Sequence, residues 1–299
     1  MSERDAIQAG IVPFSAGTAT PHFKAPDLAC DCHMHVYSPR FAVAADAHLK
    51  PPAASLSDYR SLQRWLGTTR NVFVQPSTYG FDNACVLDAI ADTRETARGI
   101  AVVSNTVSSA VSSAVSSAVS ERDLDELSAG GIVGLRFNLV RSGTDALRDA
   151  VSLAPALAER GWHLEIHVNG AQLPGLAATL ARLPCDVVMD HFGRVRFNEG
   201  ASQPAFRALL ALLDNGRTWV KLSGAYLDAQ ATRASIVEIG RALVEHRADR
   251  LVWGSDWPHP AAASLPDDAE QFDYLREWAQ DESTRERILV DNAAALYRF

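Results

Sequence analysis

Short β-rich runs and helix-like stretches alternate along the whole chain, and this alternation limits the possible folds more than any other feature. Strand-like runs occupy 29–35, 70–75, 98–103, 132–138, 162–168, 185–190, 218–223 and 250–254. Helix-like segments lie between and after them, near 57–66, 83–93, 120–129, 144–159, 171–182, 203–213, 231–246 and 268–279. Cap-like residues open several of these, such as Ser57-Asp58 before Tyr59 and Ser120-Glu121 before Arg122. Parallel neighbours need a crossover of a dozen or more residues, so strands alternating with helices predict a parallel sheet. Eight such units predict an α/β fold of the (β/α)8 TIM-barrel class, for which ~250 residues is typical. The chain is expected to form one domain over 1–299, with 1–27 an N-terminal arm and 282–299 a tail that packs across the barrel. Residues 107–120 repeat Val-Ser-Ser-Ala, a low-complexity insertion expected to form a frayed helix or mobile loop after strand three, without chemistry.

Composition excludes several function classes. A formal net charge of −8 and a pI near 5.6 leave no basic footprint for nucleic acid or an anionic membrane surface. An anionic substrate would have to be held by locally placed arginines against that overall field. Cys30, Cys32, Cys85 and Cys185 contain no Cys-x-x-Cys spacing, which predicts reduced thiols and a cytoplasmic setting. Segment 1–27 does not read as a signal peptide, and no run is long and apolar enough to span a bilayer. Homo-oligomer formation is left open.

The ends of the predicted strands carry a second pattern. His33-Met34-His35 closes the first, and two histidines at i and i+2 of a strand project to one face. His167 ends the fifth strand with Glu165 deeper on the same face, His191 follows the sixth, and Asp256 follows the eighth. In a parallel barrel these positions converge on the C-terminal mouth, where active sites of this fold lie. Three imidazoles and one carboxylate suit zinc, and an open position on the ion would hold and activate water. Taken singly, each histidine is better read as a packed polar residue; recurrence on four strand ends reverses that balance. His163 and His246 read as strand-facing and helix-surface residues, and His22 and His48 as loop residues without a visible partner.

The motifs Asp31-Cys-His-Met-His35, Asn71-Val-Phe-Val-Gln-Pro-Ser77, Gly134-Leu-Arg-Phe-Asn138, Asp190-His-Phe-Gly-Arg194, Val220-Lys-Leu-Ser-Gly224 and Trp253-Gly-Ser-Asp-Trp-Pro-His259 run through nearly the entire chain. With them the chain resembles the amidohydrolase superfamily, in its lactonase branch related to the pyrone-dicarboxylate lactonases. The resemblance implies a distorted TIM barrel and hydrolysis of a small anionic lactone from aromatic or sugar-acid catabolism. Lactone isomerisation and nonoxidative decarboxylation on the same scaffold are the alternatives it leaves, and a non-enzymatic binding barrel has little weight.

On that resemblance one Zn2+ per chain is expected on His33, His35, His167 and Asp256, with Asp256 also general base and His191 hydrogen-bonding the carbonyl or the water. The pyrone enzymes resemble metal-independent members and carry tyrosine where this chain has His167. Arg136, alone in an apolar strand, is expected to anchor a carboxylate; Arg141 reads equally as a second anchor or a solvated loop charge. Gln75 and Ser77 are expected to bond substrate oxygens, and Lys50 to replace a cation. Leu227 stands where relatives often place arginine, and Leu49-Lys50-Pro51 where the pyrone enzymes have a Tyr-Thr pair. Both departures point away from 2-pyrone-4,6-dicarboxylate itself.

Overall fold

The computed structural model describes residues 12–104 and 119–299, so most of the 107–120 repeat lies outside the described residues. All eight expected strands form: β1 (Cys30–Met34), β2 (Arg70–Val74), β3 (Ala97–Ala101), β4 (Ile132–Asn138), β5 (His163–His167), β6 (Asp186–Met189), β7 (Thr218–Leu222) and β8 (Leu251–Trp253). They pair in sequence order as one parallel sheet. One long helix follows each strand: α1 (Leu56–Leu66), α2 (Ala84–Ala91), α3 (Glu121–Ala129), α4 (Leu147–Arg160), α5 (Leu173–Leu180), α6 (Pro204–Asp214), α7 (Arg233–Arg247) and α8 (Asp268–Trp278). The architecture is the TIM barrel that the alternation predicts.

Local signals fix the helix ends. Ser55, rather than Ser57, caps α1: its Oγ accepts from Asp58 N at 3.1 Å while Asp58 accepts from Ser55 N at 2.9 Å. This reciprocal pair satisfies two donors that a helix start leaves open. Ser120 caps α3 in the same way with Asp123. Tyr59, Leu62 and Leu66 form the buried stripe of α1, each fully buried aliphatic side chain contributing about 1.5–3 kcal/mol.

Two irregularities position the functional residues. The register between β1 and β2 slips by one residue between Asp31 and Met34, a β-bulge. Cys30 and Cys32 pack inward with Val72, Val74 and Ile100; the extra residue then turns His33 and His35 to the interior as well. Beyond β8 the chain closes the barrel against β1. Asp256 N donates to His33 O and His35 N donates to Trp257 O, both at 2.8 Å. Gly254 permits that approach, since a Cβ there would stand 2.7 Å from the His33 Cβ.

The opposite end of the barrel is stoppered. The C-terminal helix Asn292–Tyr297 places Ala293, Leu296 and Tyr297 in the interior cluster with Cys30, Trp219 and Val252. Asn292 Nδ2 donates to Leu251 O at 2.7 Å, tying that helix to the start of β8. The tail therefore packs across the barrel as its sequence predicts. All four cysteines are free and buried. Among the described residues no helix is long and apolar enough to cross a membrane. His22, expected to lack a partner, pairs with Asp273 across the molecule, with Nδ1 2.5 Å from Oδ2.

Candidate active site

His33, His35 and Asp256 meet at the C-terminal mouth. Asp256 Oδ1 lies 3.4 Å from His35 Nε2 and 3.6 Å from His33 Nε2. Its other oxygen accepts from the Tyr226 hydroxyl at 2.6 Å. All three ligand atoms of the His33–His35–Asp256 group lie within 4.8 Å of one another. Burial opposes ionisation of Asp256, yet His191, His35 and His33 outweigh it and hold the carboxyl well below its usual range. Burial, and then the Lys221 ammonium, push His33 far below the ordinary imidazole value. Two imidazole nitrogens and a carboxylate oxygen converging in this way are donors that a divalent cation accepts.

The hydrogen-bond roles support the same reading. His35 Nδ1 is 2.7 Å from Val74 O; a carbonyl only accepts, so Nδ1 carries a proton and the ring is held with Nε2 facing Asp256. Nε2 and Asp256 Oδ1, 3.4 Å apart, are placed to share a proton or a cation. His33 Nε2 is buried without a hydrogen-bond partner. Its Nδ1 is flanked by Lys221 Nζ at 3.2 Å and Asp190 Oδ1 at 3.4 Å. The Lys221 ammonium can only donate, so in that contact Nδ1 accepts and the ring proton sits on Nε2, 3.6 Å from Asp256 Oδ1; a cation held there would replace that proton. The donor set fits zinc.

His167 stands outside this trio, unlike the expected four-ligand arrangement. Its Nδ1 is 3.2 Å from Arg136 Nη2 and its Nε2 is 3.4 Å from Arg194 Nη1. Burial and then Arg136 push its pKa well below the ordinary value, so it is neutral between two guanidiniums. Arg136 itself donates through Nε to Asp190 Oδ2 at 2.8 Å. Arg136, His33 and Lys221 overcome the burial of Asp190 and hold its carboxyl ionised. Beneath them Lys221 Nζ sits 2.5 Å from Glu165 Oε1, both side chains completely buried.

His191 is placed by unusual backbone. Residues 191 to 194 all have φ between 52° and 61°, three of them not glycine. Left-handed backbone costs roughly 1–2 kcal/mol per such residue, and here it turns both His191 and Arg194 toward the mouth. His191 Nδ1 lies 2.9 Å from Ser223 Oγ. A Cβ on Gly224 would come within 2.8 Å of that nitrogen. His191 also groups with His33 and Asp190 as potential ligands.

A cavity of about 780 Å³ opens beside this cluster, with Arg136, Ser77, Asn138 and Arg141 in its wall. Arg141 donates to Ser77 O at 3.0 Å and to Asp46 Oδ2 at 2.5 Å. Gln75 turns its Nε2 to Asp82 O at 2.7 Å, so it braces the following loop and does not reach the cavity. Lys50 is exposed and is not among the residues lining the cavity.

A family model described as amidohydrolase matches residues 30–299. The chain belongs to the amidohydrolase family. This amidohydrolase is 32% identical to the 4-sulfomuconolactone hydrolase of Rhizobium radiobacter over 98% of both chains. It is 29% identical to the D-galactarolactone isomerase of Agrobacterium fabrum over 95% of both. A solved structure of a probable 2-pyrone-4,6-dicarboxylic acid hydrolase from Acinetobacter baumannii, with citric acid bound, superposes with a TM-score of 0.78. It shares 29% identity over 91% of this chain and 100% of the other.

Sequence reasoning missed two residues of the amidohydrolase site and set two others aside. Tyr226 and Asp190 carry no spacing signal; each is recognised only by the partner it meets in space. By sequence alone Lys221 and Arg194, each inside a quoted motif, could equally be structural ion-pair members. Lys221 does pair with Glu165, whereas Arg194 makes no ion pair among the described residues.

Proposed function

We propose that this amidohydrolase is a cytoplasmic lactone hydrolase that opens a small anionic lactone from aromatic or sugar-acid catabolism and carries one zinc ion. The observation that supports this best is the Asp256 carboxylate, oriented by Tyr226 and turned toward His33 and His35. Zinc held by His33, His35 and Asp256 would supply Lewis acidity toward the ester carbonyl.

The remaining steps fall to the chain's own groups. Asp256 takes a proton from the attacking water and returns it to the ring oxygen as the C–O bond breaks. The Ser223 hydroxyl, donating to His191 Nδ1, keeps the imidazole proton on Nε2. From there it donates to the carbonyl oxygen as negative charge develops. Arg136, Ser77 and Asn138 contact the substrate in the cavity, while Arg141 and Gln75 shape it through the loops they tie.

The test is Asp256→Asn on a panel of pyrone, sulfonated and sugar-acid lactones, read by acid release and product mass. Turnover should fall by about 10²–10⁴-fold, the usual worth of a general base, with the fold intact. Near-normal acid release would overturn the assignment. Isomerisation is the second reading, favoured by the galactarolactone isomerase relative and by two proton-transfer groups, Asp256 and His191, at one mouth. A product of unchanged mass would establish it.

A further inference from the structure

Three guanidiniums face the mouth, and the chain's own carboxylates already answer two of them. Arg136 donates to Asp190. Arg141 donates through Nη2 to the Asp46 carboxylate at 2.5 Å and to its backbone carbonyl at 3.1 Å. Arg194 makes no ion pair among the described residues, and its hydrogen-bond contact is His167 Nε2 at 3.4 Å. That contact is undersupplied, because neutral His167 offers one acceptor nitrogen to two guanidiniums. One N–H at this place is left waiting for an acceptor.

The cavity wall has the same balance farther out. Asp46, Asp145 and Asp149 equal Arg136, Arg141 and Arg148 in number, and Arg136 is already engaged by Asp190, so the wall carries no net positive charge although Arg148 makes no ion pair among the described residues. A second anionic group on a ligand would meet this balanced wall and approach the Asp46 carboxylate. The wall provides neutral groups instead: the Ser77 hydroxyl, the Asn138 amide and the ring of Phe81, which is 60% exposed.

We propose that the site selects lactones bearing one anionic group, received by Arg194, with neutral hydroxylated substituents in the cavity, and that Asp46 excludes a second anion. This rests on the lactone reading above and narrows it. A sugar-acid lactone with one carboxylate fits, whereas a pyrone dicarboxylate is disfavoured.

The test uses furan-2-carboxylate and furan-2,5-dicarboxylate, oxygen rings that cannot be hydrolysed and that differ by one carboxylate. Affinities for the full chain are measured by calorimetry for wild type, Asp46→Asn and Arg194→Gln. The Asp46 side chain is 79% exposed, so its replacement leaves the fold in place. The monocarboxylate should bind wild type roughly tenfold tighter than the dicarboxylate. Asp46→Asn should shift that ratio at least roughly tenfold toward the dicarboxylate, about 1.4 kcal/mol. Arg194→Gln should weaken the monocarboxylate by a similar factor.

Equal or tighter wild-type binding of the dicarboxylate, an unmoved ratio in Asp46→Asn, undiminished binding in Arg194→Gln, or no monocarboxylate binding at millimolar concentration would each overturn the proposal. Neither furan is turned over, so a failure here is distinct from a failure of the lactone reading, which the lactone panel decides.

Discussion

Tyr226 donates its hydroxyl to Asp256 at 2.6 Å, from a turn after β7 to a residue beyond β8. The bond fixes which carboxylate oxygen faces the imidazoles. Hydrogen bonds to charged groups are worth about 1.5–3 kcal/mol, so Tyr226→Phe should lower kcat by roughly ten- to a hundredfold. KM should change little if the hydroxyl only orients Asp256. A KM defect with normal kcat would mean that Tyr226 holds substrate instead.

Metal content should follow the trio and not His167. His35→Ala is expected to lose most of its bound zinc by elemental analysis, and His167→Tyr to keep it. A strong chelator should remove activity from wild type and added zinc restore it. Zinc lost equally from both variants would return His167 to the ligand set.

Lys221 and Glu165 form an ion pair inside the barrel with no exposed surface. Removing one partner strands a buried charge, which costs about 3–5 kcal/mol. Lys221→Met should therefore lower the urea midpoint sharply, and adding Glu165→Leu should recover much of the loss. A double variant no better than the single would show that the charges act independently.

Asp31 ties β1 to the segment after β8, accepting from Ser255 N, Ser255 Oγ and Tyr59 OH. Burial outweighs these donors and raises its carboxyl from 3.8 to about 6. A value raised in the folded state favours the neutral form. Its stabilisation is therefore fully present below 3.8 and is lost as pH rises through about 6. The difference corresponds to roughly 3 kcal/mol. Unfolding free energies of wild type and Asp31→Asn, compared from pH 4 to 7, should diverge by about that amount, with wild type losing ground as pH rises. Parallel curves would refute the shift.

The barrel was legible because hydrophobic period and strand–helix alternation are local properties, and every strand appeared where its run predicted. His33 and His35 were legible as a pair for the same reason. Their direction was not: Cys30 and Cys32 also face inward, and only the bulge reconciles the two sets. His167 shares the strand-end position of a ligand, but its neighbours Arg136 and Arg194 decide what it touches. Those distances follow from strand register and from the left-handed turn after β6, which no spacing rule encodes. The pairing of Arg141 with Asp46 spans 95 residues and was hidden likewise.

Barrel closure has a consequence for biosynthesis. The amide of Asp256 and the carbonyl of His33 make one of the bonds that join the last strand to the first. A nascent chain still lacking β8 and Asp256 would hold two of the three proposed metal ligands and lack the proposed carboxylate base. On that assignment it would neither trap an ion nor act on a substrate met at the ribosome. Activity would then switch on only when the circle is completed, making turnover a reporter of native closure during refolding.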